Sequence, residues 1–157
     1  MKYYMILISG VLLLESCGAA SKDNLNDEAS LSFVDAIPVN PLEQIALTSS
    51  IQPNEGTMST LYGNEIANEY AQTHGDAKYP SGTTLYEVTW RQKADSLWFG
   101  ANIPKEIIKI EVVRFDENSS PAYERYEGRP LRKMSNENIN VSKRIDAIRS
   151  QRMAVSP

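Results

Sequence analysis

The stretch TTLYEVTWR, residues 83–91, follows the turn sequence YPSG and alternates. Thr84, Tyr86, Val88 and Trp90 fall on one side, and Leu85, Glu87, Thr89 and Arg91 on the other. Successive side chains of a strand point to opposite faces, so the pattern predicts a half-buried strand with its polar side toward water. Downstream, EIIKIEVVRF (residues 106–115) alternates in the same way, with Ile108, Ile110 and Val112 opposed to Lys109, Glu111 and Val113. A third strand, AYERYEG (residues 122–128), follows the turn NSSP.

Helical patterns flank these strands. Placed at about 100° per residue, LYGNEIANEYAQTH (residues 61–74) puts Tyr62, Gly63, Ile66, Ala67, Tyr70, Ala71 and His74 on one half. Asn64, Glu65, Asn68, Glu69 and Gln72 fall on the other half, and Gly75 supplies the stop. A second helix is predicted from about Ser142 to Met153, with Arg149 and Arg152 in the turns where the helix dipole favours cations. The order helix, three strands, helix predicts an α+β fold: a small antiparallel β-sheet packed against flanking helices, occupying residues 56–157.

The N-terminus has a different character. Lys2 followed by an apolar run from Tyr3 to Leu14 has the layout of a secretory signal, and the run is shorter than the roughly 20 apolar residues a membrane span requires. Leu14, Glu15, Ser16 and Cys17 resemble the lipobox of bacterial lipoproteins, apart from the acidic Glu15 where a small or apolar residue is usual. The resemblance implies that residues 1–16 are a signal peptide and that Cys17 becomes an acylated first residue. The expected setting is the bacterial cell envelope, with the outer membrane as host. Cys17 is the only cysteine, so no disulfide forms within the chain. Residues 17–55, rich in Ser, Asn, Asp and Pro, read as the lipidated N-terminus and a flexible tether. On that reading a chain beginning near Asn54 folds on its own. The apolar islands LSFVDAI and LEQIAL argue the other way, because they can dock as a strand or a helical turn.

The formal charge of −4 is ordinary for a soluble domain, and removal of Lys2 and Glu15 with the signal leaves it unchanged. Basic residues gather between Arg129 and Arg152, an island suited to an anionic ligand or to a solvated helix face. Nucleic acid is not an expected partner outside the cytoplasm. One histidine and one cysteine provide no zinc-type spacing, and the sequence contains neither a nucleophile elbow nor a phosphate-cradling loop. Glu87 and Glu111 are candidates for paired carboxylates, although polar strand faces in water explain them more simply.

Several segments, STLYGNEIA, YPSGTTLYEVTWRQKADSLWFGANIPKEIIKIEVV, YERYEG and RIDAIRSQRMAVSP, occur in that order and resemble the cytochrome P-460 family, most specifically through VTWRQ and WFGANIP. The resemblance implies a mixed α+β domain, usually a homodimer, whose characterised members carry a crosslinked c-type haem and oxidise hydroxylamine or handle nitric oxide. Covalent attachment needs Cys-x-x-Cys-His, and the corresponding C-terminal region here reads IRSQRMAVSP. Covalent haem is therefore excluded, no cofactor is expected, and the family's catalytic residues do not carry over. A non-covalent haem would use His74, with Tyr62 and Tyr70 as pocket or ligand candidates and Tyr86 as a further phenol. Trp98 and Phe99, in the loop DSLWFGANIP, either plug one end of the fold or line a ligand pocket. The expected function is a lipid-anchored ligand-binding or interaction module. The alternative is a non-covalent haem oxidoreductase.

Overall fold

Strand β3, Thr84–Ala94, lies at the centre of a six-stranded antiparallel sheet. The computed structural model describes residues 26–117 and 120–153. The signal segment 1–16, Cys17 and the first residues of the expected tether lie outside them. The strands follow one another as a meander: β1 (Ile45–Gln52), β2 (Thr57–Gly63), β3, β4 (Asn102–Arg114), β5 (Ala122–Glu127) and the short β6 (Arg132–Lys133). Two nine-residue helices complete the chain, α1 (Glu65–Thr73) between β2 and β3 and α2 (Val141–Arg149) after β6.

The α+β expectation is corrected by this layout. The molecule is mainly β, a six-stranded sheet with two short helices on one face. Much of the difference comes from residues 61–63, which read as the start of the helix but end strand β2. Leu61 and Tyr62 belong to opposite faces of that strand, Leu61 with the helices and Tyr62 against Trp90. The helix starts only where Asn64 caps it, its side chain accepting from the Ala67 amide at 3.1 Å. Gly63 permits the join, because a Cβ there would lie 2.5 Å from Ala67 Cβ and 2.9 Å from Leu47 Cδ1.

Strand β3, expected to be half-buried with a polar side toward water, is buried on both faces from Leu85 to Trp90. On the helical face, Leu47, Leu61, Leu85, Val113 and Tyr123 pack with Ala67 of α1 and Ile145 and Ile148 of α2. On the opposite face, Tyr86, Val88, Trp90, Ile110, Val112 and Tyr126 form a second cluster, covered by Ala29, Leu31, Ile37 and Leu42. The tether expectation is thus corrected for residues 26–55, which supply both this covering segment and β1. Trp90 Nε1 donates to the Ala29 carbonyl at 2.8 Å, and the Ala36 amide donates to the Leu131 carbonyl at 3.0 Å. These bonds hold an irregular segment that has no ladder of its own.

Candidate functional site

The antiparallel register lines up the helical face in rungs. Leu85, Val113 and Tyr123 form an apolar rung, followed by Glu87, Glu111 and Arg125, and then by Thr89, Lys109 and Glu127. Glu87 and Glu111 therefore meet as direct neighbours, and they are buried, at 8% and 1% exposure. This corrects the expectation that they face water. Two adjacent buried carboxylates repel each other and need cations, which α2 and the sheet supply. Arg144 grips Glu111 through Nε (2.8 Å) and Nη2 (2.6 Å) and reaches Glu87 with the same Nη2 at 2.8 Å. Lys109 Nζ lies 2.7 Å from Glu111, the Tyr123 hydroxyl donates to Glu111 at 2.5 Å, and Gln151 Nε2 donates to Glu87 at 2.9 Å.

Burial alone would raise the Glu111 carboxyl, but the bonds from Arg144, Lys109 and Tyr123 prevail and bring it down to about 2. Burial and the bond to Glu111 push the Tyr123 phenol up, while the bond to Glu111 raises the Arg144 guanidinium. A carboxylate that titrates near 2 is a poor proton acceptor at neutral pH, and an acid–base pair needs members whose environments separate their protonation ranges around that pH. Glu111 is therefore held ionised by its partners, at the side of a small open cleft lined also by Arg125 and Glu127. The sequence did carry a trace of Arg144: with Ile148 and Gln151 it makes a 144/148/151 stripe at helical spacing, on the border of the apolar side of α2.

His74 takes a different position. It is the exposed C-cap of α1, with its ring stacked on Tyr70 at 4.2 Å and its Nδ1 2.7 Å from Thr73 Oγ1. The Tyr70 hydroxyl donates to Asp76, a bond that drives the phenol up to about 12. His74 itself lines an open cleft of about 340 Å³ between the C-terminal ends of α1 and α2, together with Tyr79, Arg149, Arg152 and Met153. Tyr62 lies across the sheet from His74, edge-on to Trp90 at a ring separation of 6.5 Å, and Tyr86 is buried on that same far face. Of the residues nominated for a non-covalent haem, His74 and Tyr70 come together beside an open cleft that gives no enclosed apolar wall, while Tyr62 and Tyr86 lie on the opposite face of the sheet. Among the described residues no cluster of three or more His, Cys, Asp or Glu side chains is arranged to hold a metal ion.

Trp98 and Phe99 neither plug the fold nor line a pocket. They stand with Leu97 at the tip of the long β3–β4 hairpin, at 86% exposure for Leu97, 72% for Trp98 and complete exposure for Phe99. Internal hydrogen bonds shape the tip. Asp95 accepts from the Leu97 amide at 2.7 Å and the Trp98 amide at 3.4 Å. The Asp95 amide donates to the Ala101 carbonyl, the Ala101 amide donates to the Trp98 carbonyl, and Gly100 turns the chain at φ +81°. The basic island is dispersed: Arg132 reaches the Val34 carbonyl, Lys133 pairs with Glu124, Arg144 joins the carboxylate cluster and Arg149 pairs with Asp146.

No protein-family model matches the chain, and no curated protein matches it either. The likeness to cytochrome P-460 accordingly rests on the quoted segments alone.

Proposed function

We propose that the protein is a lipid-anchored domain of the bacterial cell envelope, held through Cys17, that works as an interaction module through contact rather than catalysis. The observation that carries the contact reading is the projecting Leu97–Trp98–Phe99 tip. Three consecutive large apolar side chains held out on a hydrogen-bonded turn are costly in water, and such patches mark interaction surfaces. The carboxylates that come together elsewhere are saturated with internal partners, which supports the same reading. The lipobox-like segment before Cys17 supports the anchor.

Growth with labelled palmitate followed by membrane fractionation tests the anchor. The intact chain is expected to carry label and sediment with membranes, and Cys17→Ala to lose the label and persist as an uncleaved or soluble exported form. A processed Cys17→Ala protein that keeps the acyl label overturns the anchor.

A further inference from the structure

The chain enters the described fold beside the exposed tip. Asn26 Nδ2 donates to the Pro104 carbonyl at 2.6 Å, and Glu28 pairs with Lys93 at 2.7 Å. Pro104 and Lys93 both lie in the outer part of the β3–β4 hairpin. Beyond the Gln92/Pro104 pair only Lys93/Ile103 and Ala94/Asn102 remain before the loop. At about 3.4 Å per residue, those two rungs place the base of the loop roughly 7 Å past the point where the chain enters. Nine peptide links separate Cys17 from Asn26. They span at most about 30 Å even when fully extended. The short link brings one end of the domain close to whatever surface holds Cys17, and that end carries Leu97, Trp98 and Phe99.

From this juxtaposition we propose that the Leu97–Trp98–Phe99 tip inserts into the headgroup region of the bilayer that holds the acylated Cys17, as a second and non-covalent contact. The proposal rests on the lipid-anchor reading above. Two features of the tip suit a lipid surface. Its turn pairs backbone groups internally, through Asp95 and through the Asp95–Ala101 and Ala101–Trp98 bonds, as entry into an apolar medium demands. Tryptophan also favours the membrane–water interface, where its ring is buried and its N–H stays wet. The lysines at the base of the hairpin add no net attraction for anionic lipid, because Lys93 pairs with Glu28 and Lys105 with Glu106. Insertion is therefore driven by apolar contact and does not depend on lipid charge.

The test uses acylated full-chain protein, purified from membranes and reconstituted into phosphatidylethanolamine vesicles, with or without phosphatidylglycerol, containing a phospholipid brominated near the top of its acyl chains. Trp98 emission is expected to shift to the blue and to be quenched by the brominated lipid, equally in the two vesicle types. Trp98→Ala should remove the quenched fraction and leave the buried Trp90 signal. Protein that floats with the vesicles through its acyl group while Trp98 emits as in water overturns the insertion and leaves the anchor standing. Quenching of the same size in Trp98→Ala, or quenching that requires phosphatidylglycerol, also overturns it. Protein that carries no acyl group and does not float overturns the anchor and the insertion together.

Discussion

The two faces of the sheet are both closed, by opposite means. The helical face is covered by regular elements and holds an ionic cluster, Glu87, Glu111, Lys109 and Arg144, beside its apolar residues. The other face is covered by an irregular N-terminal segment, and its cluster is built from aliphatic and aromatic side chains tied by the bond from Trp90 to Ala29. Burial of a strand on both sides thus does not require a helix on both sides. The ionic face specifies where α2 sits, since few other positions satisfy two neighbouring carboxylates. The apolar face specifies little about the conformation of its cover and needs a few anchoring hydrogen bonds instead.

The largest effect is expected from removing one cover entirely. A chain beginning at Asn54 lacks β1 and the segment that supplies Leu31, Ile37, Leu42 and Leu47. Full burial of such a side chain contributes about 1.5–3 kcal/mol. Leu47 is buried and the other three are partly buried, so together with the lost β1 ladder their removal is a large fraction of the stability of a small domain, about 5–15 kcal/mol. Thermal unfolding followed by circular dichroism should show no cooperative transition for this chain. A retained transition would mean that the second face needs no cover.

On the helical face, Arg144→Ala leaves Glu87 and Glu111 facing each other with Lys109 as the remaining cation at Glu111. The expected cost is about 3–5 kcal/mol, read from urea unfolding. A quadruple replacement, Arg144→Met with Lys109→Met, Glu87→Met and Glu111→Met, should recover most of it, because charges and counter-charges leave together. A milder probe of the same cluster is acid. The Glu111 carboxyl lies near 2 in the folded chain against an ordinary value of 4.5, so its contribution is fully present above about 4.5 and is lost as pH falls toward 2. A shift of that size corresponds to about 3 kcal/mol. The fall in unfolding free energy over this window should shrink in Glu111→Gln. An unchanged pH profile would place the acid sensitivity elsewhere.

The smallest effect is expected at His74. His74→Ala removes an exposed cap residue and should change stability by no more than about 0.5 kcal/mol. Added haem should give no sharp Soret band that depends on this side chain. A stoichiometric complex lost in His74→Ala would restore the haem reading.

The contrast between the faces also explains what the sequence made legible. β3, β4 and β5 are readable because their alternation is strong, and α2 is readable in place though it ends at Arg149, short of the Met153 and Arg152 expected within it. β1 was hidden, since IALTSSIQ is an edge strand that buries only Leu47 and depends on its ladder to β2. β2 was absorbed into the helix because Leu61 and Tyr62 extend the apolar side of α1, and only Gly63 and the Asn64 cap mark the break. A cover without periodicity, such as residues 26–43, leaves no pattern to find. The candidate site was legible in its parts and not in its assembly. Glu87 and Glu111 were visible as neighbours, but their burial and their guanidinium partner depend on where α2 lands.

Hydrogen exchange at the two indole N–H groups tests the central claim most directly, because each tryptophan reports on one half of it. Trp90 Nε1 is bonded to Ala29 beneath the N-terminal cover in a side chain only 5% exposed, whereas Trp98 stands free at the tip. In the full chain the Trp90 indole is expected to exchange only through global opening, at the rate of the slowest sheet amides, and the Trp98 indole at the rate of an unstructured peptide. Exchange of both indoles at the same fast rate would contradict the account, since it would show that residues 26–43 do not close the second face.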